Sequence, residues 1–171
     1  MTRYFTIGKL VTTFGLDGKL VLKHGLGKKT ALKGLEKVFI EEKKEAFIPY
    51  FVESTAIKNE DEVYIKLEGI NTKETAHKLT QKEVWLTEDD FAKHVAKSSP
   101  VSLLGFHIIN NGEDLGEVIE VIEQPMQVLC KIIINNNEAL IPVHEATLQK
   151  INKKNKQVLV NLPDGLLDIY R

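Results

Sequence analysis

Apolar residues in this chain come in short runs, each closed by a turn, and this pattern constrains the fold more than any other feature. In the first half the runs are "FTIGKLV", "GKLVLK", "KVFIEE", "AFIPYFVESTAIK" and "EVYIKLEG". They are β-branched or leucine-rich, and glycine-punctuated turns such as "TTFGLDG" part them. Short strands at this spacing build a small barrel or sandwich. The period changes in "NTKETAHKLTQKE", which reads as a helix capped by Asn71, with Glu74 in its first turn and Ala76 and Leu79 on one face. "EVWLT" returns to strand.

Residues 87–102, "TEDDFAKHVAKSSPVS", read as a boundary. Thr87 caps a short helix carrying Phe91 and Val95, and Pro100 ends it, because the residue before a proline disfavours the α region. The expected organisation is an N-terminal barrel or sandwich domain over 1–90, a linker over 91–100 and a second domain over 101–171. In that second domain "GFHII", "LGEVIEVIE", "MQVLCKIII", "ALIPV" and "QVLVNL" make a five-strand pattern. Five short strands without a long helix suggest a small closed or half-open barrel, which removes edge strands. The fold class is therefore mostly β, in two small domains with one or two short helices.

Composition is that of a globular protein, 43% hydrophobic and 27% charged. No run reaches the ~18 apolar residues of a membrane helix. "MTRYFTIGKL" has no apolar h-region, so a cytoplasmic protein is expected. The single cysteine, Cys130, excludes an internal disulfide and a cysteine-rich zinc site, and it reads as a buried thiol in a strand.

The net charge of −1 gives no strong overall pull on nucleic acid. Its distribution is uneven. Lys19, Lys23, Lys28, Lys29, Lys33 and Lys37 fall within 19–37 against Glu36 alone. Such a run is either a solvated face or a surface that gains affinity by releasing counterions from phosphates. Residues 101–171 carry six basic and nine acidic residues, a net of −3, which suits a basic partner.

No catalytic constellation is present: the chain has no G-x-S-x-G, no P-loop and no H-E-x-x-H. Its histidines are scattered through different elements. His144 with Glu145 is the one adjacent pair that could do acid/base work in a barrel cleft, and a packed or solvent-facing histidine is the simpler reading. No enzyme, cofactor or metal is expected.

Taken together, the turns resemble the ribosome maturation factor RimM family. "IGKLVTTFGLDGKL" is similar to the family's opening, matching at Gly8, Lys9, Gly15, Leu16 and Gly18, with Phe14 where the family usually has histidine. "VYIKLEGINTKETAHKL" matches a strand-then-helix element at Leu67, Gly69, Ile70, Glu74, Ala76 and Leu79. "LLGFHIINNGEDLGEVIEVIE" resembles the start of the family's PRC barrel at Leu104, Gly105, Gly112, Leu115, Gly116 and Val118, and "LIPV" and "LPDGLLDIY" its end.

The resemblance implies an N-terminal six-stranded barrel like those of translation factors over 1–90 and a PRC barrel over 101–171, hence two small β-barrel domains. It also implies a monomeric assembly chaperone that acts on a small-ribosomal-subunit precursor, binds a basic ribosomal protein of the subunit head and aids 16S rRNA processing. On this reading Lys23, Lys28 and Lys29 would meet rRNA phosphates. The family often carries a tyrosine pair before its second domain; Ser98 and Ser99 stand there instead, and Gln124, Pro125, Met126 and Gln127 replace its G-[AS]-x-[DN] turn. The protein-binding anchors would then be Phe106, Met126 and Gln124. A PRC-type adaptor unrelated to ribosomes is the alternative. Four apolar residues in the last six pose a separate choice: Leu166, Leu167 and Ile169 either cover the last strand of the small barrel or form a binding tail.

Overall fold

A computed structural model describes residues 2–171 of the chain. The chain divides into two compact units, 1–99 and 100–171.

In the first unit six strands close a barrel: β1 (Tyr4–Phe14), β2 (Lys19–His24), β3 (Lys37–Lys43), β4 (Ala46–Ile57), β5 (Glu62–Leu67) and β6 (Glu83–Thr87), in the order β1-β2-β5-β4-β3-β6. β1 closes it by pairing with β2 on one side and β6 on the other, each through a bulge. Gly8 lies in this closure. A Cβ there would sit 1.9 Å from the Lys23 carbonyl oxygen, so only glycine lets β1 approach β2 this closely. Inside, Leu10, Leu20, Leu22, Ile40, Ile65, Leu67 and Leu86 are buried, as strand alternation requires. Outside, Tyr4 packs against Phe39 and Phe47, and Phe47 against Trp85.

Helix α1 (Lys73–His77) buries Ala76, with Leu79 beside it, as its pattern predicts. Its cap differs from expectation. Thr72, not Asn71, accepts from the Thr75 backbone N–H in a capping box. Asn71 is engaged elsewhere, its Oδ1 accepting from the Lys66 ammonium at 2.9 Å. Thr72 thus lies one residue nearer the helix, where its hydroxyl reaches the orphan N–H.

Helix α2 (Glu88–His94) is capped by Thr87. The segment read from sequence as a linker, 91–100, is largely folded onto the first unit. Phe91, His94, Val95 and Ala96 are buried, and the Ala96 N–H donates to the Leu26 carbonyl. Its apolar spacing anchors it, and the break between units falls at Ser99–Pro100.

The second unit has seven strands rather than five. They are β7 (His107–Asn110), β8 (Glu113–Glu117), β9 (Glu120–Gln124), β10 (Gln127–Ile134), β11 (Asn137–Val143), β12 (Leu148–Asn152) and β13 (Gln157–Val160). They form a sheet ordered β11-β10-β9 and one ordered β12-β13-β7-β8. "LGEVIEVIE" splits in two because it pairs with β7 as far as Glu117 and with β10 from Glu120, Val118 turning into the core between them. β12 was missed because "LQKIN" has little alternation. Both sheets bury residues in one core that includes Ile108, Val118, Cys130, Ile132, Ile141, Val158 and Val160. Burial pushes the Cys130 thiol up to about 12, so it stays protonated and inert.

The C-terminal tail folds back as a 3₁₀ turn, Leu166–Tyr170, after Gly165 in the left-handed conformation. Leu167 is buried, and Leu166 and Tyr170 pack on the same core. The Tyr170 hydroxyl accepts from the Leu140 N–H of edge strand β11 at 3.5 Å. Ile169, expected to be part of the cover, is instead 76% exposed, because in this tight turn it faces away from its neighbours. Leu167→Ala should therefore lower stability by about 2–5 kcal/mol, whereas Ile169→Ala should stay within ~0.5 kcal/mol. Chemical denaturation of the full chain checks this, and equal effects would contradict the packing described.

Candidate functional site

Lys23, Lys28 and Lys29 are all exposed, but they stand in two places. Lys23 lies on the outer face of β2, with Lys9 of β1 on one side and Glu62 of β5 on the other. Lys28 and Lys29 lie on the loop after β2.

That loop is rigidly built from below. The His24 Nδ1 accepts from the Leu26 N–H at 3.3 Å, and Leu26, Leu32 and Leu35 are buried. Thr55 of β4 donates its hydroxyl to the Ala31 carbonyl. Gly27 (φ +81°) passes against Ser99, and a Cβ on it would sit 2.3 Å from the serine side chain. Ser99, standing where the family often has a tyrosine, thus lies where a close backbone approach is needed. Lys28 is near His94 of α2. The segment first read as a linker is in effect the brace of the lysine loop.

Two imidazoles, His24 beneath the loop and His94 of the brace, are held below their ordinary value of 6.5. Burial is the main cause for both His24 and His94; Asp61 opposes it at His24 and Asp90 at His94. The His24 Nε2 is buried without a hydrogen-bond partner among the described residues.

In the second unit the expected anchors do not come together. Gln124 and Gln127 pair across a two-residue hairpin turn, with the Gln127 amide donating to Gln124 at 3.0 Å. Met126 at the tip is 94% exposed. Phe106 is half-buried against the core, so it belongs to the packing rather than to the hairpin. Lys131 on the adjoining sheet is neutralised by Glu120 at 2.6 Å and Glu138 at 3.5 Å. Its ammonium is held above the usual lysine range by its hydrogen bond to Glu120. His144 and Glu145 form no pair. The His144 Nδ1 accepts from the Ala146 N–H at 3.1 Å and stabilises a turn. Among the described residues no three His, Cys, Asp or Glu side chains gather as metal ligands.

One feature escaped sequence reasoning. On the outer face of the first barrel a cleft of about 80 Å³ is lined by Phe14, Lys19, Ser54, Tyr64 and Lys66 among others. These residues lie in separate strands, and the only signal for them was Phe14 standing where the resembled family has histidine.

Comparison with known proteins gives one consistent result. The chain matches the RimM N-terminal domain over residues 5–91 and the RimM PRC barrel domain over residues 100–166. It is 32% identical over 130 residues to the ribosome maturation factor RimM of Phocaeicola vulgatus, covering 71% of this chain and 73% of that one. It is 26% identical to that of Christiangramia forsetii, covering 97% of this chain and 95% of the other. A crystal structure of a 16S ribosomal RNA processing protein RimM from Pseudomonas aeruginosa aligns over 94% of this chain and 98% of that one, at 17% identity and a TM-score of 0.43.

The brace has a pH consequence. Neutral His24 and His94 are favoured in the folded chain, so the unfolded chain takes up protons the folded one refuses, and stability falls as pH drops through 6.5. Melting followed by circular dichroism should show this fall, and His24→Asn should reduce it. A wild-type melting temperature flat across that window would mean neither imidazole is held neutral.

Proposed function

Because the chain belongs to the RimM family, we propose that it is a ribosome maturation factor, an assembly chaperone of the small ribosomal subunit. It binds the subunit precursor in the cytoplasm and favours the folded head by binding it more tightly than misfolded alternatives. The second unit engages a basic ribosomal protein of the head, and the first contacts rRNA. The observation that carries this division is the charge split: residues 101–171 hold a net of −3, while the lysine-rich run belongs to the first unit. Among the described residues no helix is long and apolar enough to cross a membrane, in keeping with a partner in bulk solution.

Lys28 and Lys29 extend from a loop held by His24, Leu26 and Gly27, so their ammoniums can meet phosphate without much loss of loop entropy. In the second unit Met126 is the anchor. An unbranched thioether at an exposed hairpin tip adapts to a partner surface, and the Gln124–Gln127 pair holds the hairpin in shape. Phe106 supports that unit from its core.

Lys28→Glu combined with Lys29→Glu should weaken co-sedimentation with small-subunit precursors while leaving melting unchanged. The slope of log affinity against log salt should fall by roughly 0.9 for each lost contact to duplex-like RNA. An unchanged slope would return these lysines to a solvated face. Separately, Met126→Ala should cost at least ~1 kcal/mol of affinity for a basic head ribosomal protein in calorimetry; wild-type affinity would place the protein contact elsewhere.

A further inference from the structure

The outer face of the first barrel carries a site that includes Lys23 but lies apart from the loop of Lys28 and Lys29. Side chains pointing outward line up in rungs across β1, β2 and β5: Lys9 beside Lys23 beside Glu62, Thr12 beside Val21 beside Tyr64, and Phe14 beside Lys19. β2 lies between β1 and β5, which puts those two strands roughly 9–10 Å apart. The rings of Phe14 and Tyr64 nevertheless come within 4.5 Å, centroid to centroid. They lean toward each other across β2, where Val21, on the same rung as Tyr64, is only 2% exposed.

The charges around this aromatic pair are unequal. Lys9 and Lys19 are exposed and make no ion pair among the described residues. Lys66, buried at the cleft wall, is held in place by Glu53 at 3.3 Å, by the Leu67 carbonyl at 3.1 Å and by Asn71. Glu62 is occupied by Lys58 at 3.2 Å. Phe14 keeps 47% of its surface open. The arrangement is an aromatic face beside a fixed ammonium, flanked along β2 by Lys19 and Lys23. Those two lysines point the same way, four residues apart, hence about 13 Å along the strand.

We propose that this cleft binds single-stranded RNA, with one base stacked on Phe14 and the neighbouring phosphates against Lys19, Lys23 and Lys9. The proposal rests on the family-based reading that the first unit meets rRNA, and it names the part of the RNA concerned: an unpaired segment rather than a helix. Stacking on an aromatic side chain next to a cationic track is how proteins hold single strands without reading sequence. An acidic peptide would satisfy the lysines but leave the aromatic face without a planar partner. Lys28 and Lys29, on their braced loop, are not part of this site.

The test uses the full chain and a fluorescein-labelled hexauridylate, followed by anisotropy at several salt concentrations. Phe14→Ala should weaken binding about tenfold. Lys19→Gln, at an exposed position, should make the slope of log affinity against log salt shallower by roughly 0.7. Lys28→Glu with Lys29→Glu should leave hexauridylate binding within about twofold. Wild-type affinity and slope in both folded single variants overturn the proposal; should Phe14→Ala melt early, Lys19→Gln alone decides. Equal binding of a labelled hexaglutamate peptide with the same dependence on Phe14 also overturns it, in favour of a protein ligand. Co-sedimentation of the wild-type chain with small-subunit precursors is measured alongside. Its absence fails the family-based reading, whereas its presence with hexauridylate binding that ignores Phe14 and Lys19 fails the cleft assignment alone.

Discussion

The hydrogen-bonded closure of β1 against both β2 and β6 is the constraint on which the first unit depends. A strand with an open edge leaves unpaired N–H and C=O groups, and a barrel removes the edge altogether. Closure forces tight curvature, and two bulges on β1 together with Gly8 supply it. It also sets which residues look outward. With Leu10, Leu20 and Ile65 committed to the interior, Lys9, Lys19, Lys23 and Tyr64 have no choice but to face solvent.

The same closure supports the lysine loop. β2 ends at His24, whose side chain turns inward and accepts the Leu26 N–H, so the chain leaves the barrel in one direction. The brace that follows, from Phe91 to Ser99, is held by burial of Phe91 and Val95 and by the Ala96–Leu26 hydrogen bond. The arrangement couples a charged, solvent-facing loop to neutral, buried imidazoles. Its shape rests on imidazoles that burial holds below their ordinary range. The second unit meets the edge problem differently. Its three-stranded sheet ends at β11, and the C-terminal tail covers that edge, with Tyr170 satisfying the Leu140 N–H and Leu167 filling the core beneath.

Much of this was legible in the chain. Alternation and turn residues located the six strands of the first barrel, the cap at Thr87, the faces of Ala76 and Leu79 and the buried strand of Cys130, because each rests on spacing within a few residues. Strand pairing in the second unit was less legible. "LQKIN" lacks alternation, so its own pattern does not mark it as a strand although it pairs with the next one in a local hairpin, and the parallel pairing of β13 with β7 joins residues some fifty positions apart. The folding of 91–100 was hidden by Ser98, Ser99 and Pro100, which signal a break, while Phe91 packs on Phe5 of β1 and Ala96 is held by a loop some seventy residues earlier. Among the candidate site residues, exposure of Lys23, Lys28, Lys29 and Met126 agreed with expectation, and half-burial of Phe106 reflected its place ahead of β7.

By itself, the sequence determined that this protein would be two small β units with a lysine-rich first half and an acidic second half, and its motifs pointed to the RimM family. These are properties of composition and local period, which the chain carries whether folded or not. Only the tertiary structure decided that Lys23 and Lys28 stand on different surfaces, that Phe14 and Tyr64 meet across β2, and that Tyr170 rather than Ile169 covers the core. Such proximities arise from strand register and closure. Residues fifty positions apart become neighbours only when the hydrogen bonds of the intervening strands are made.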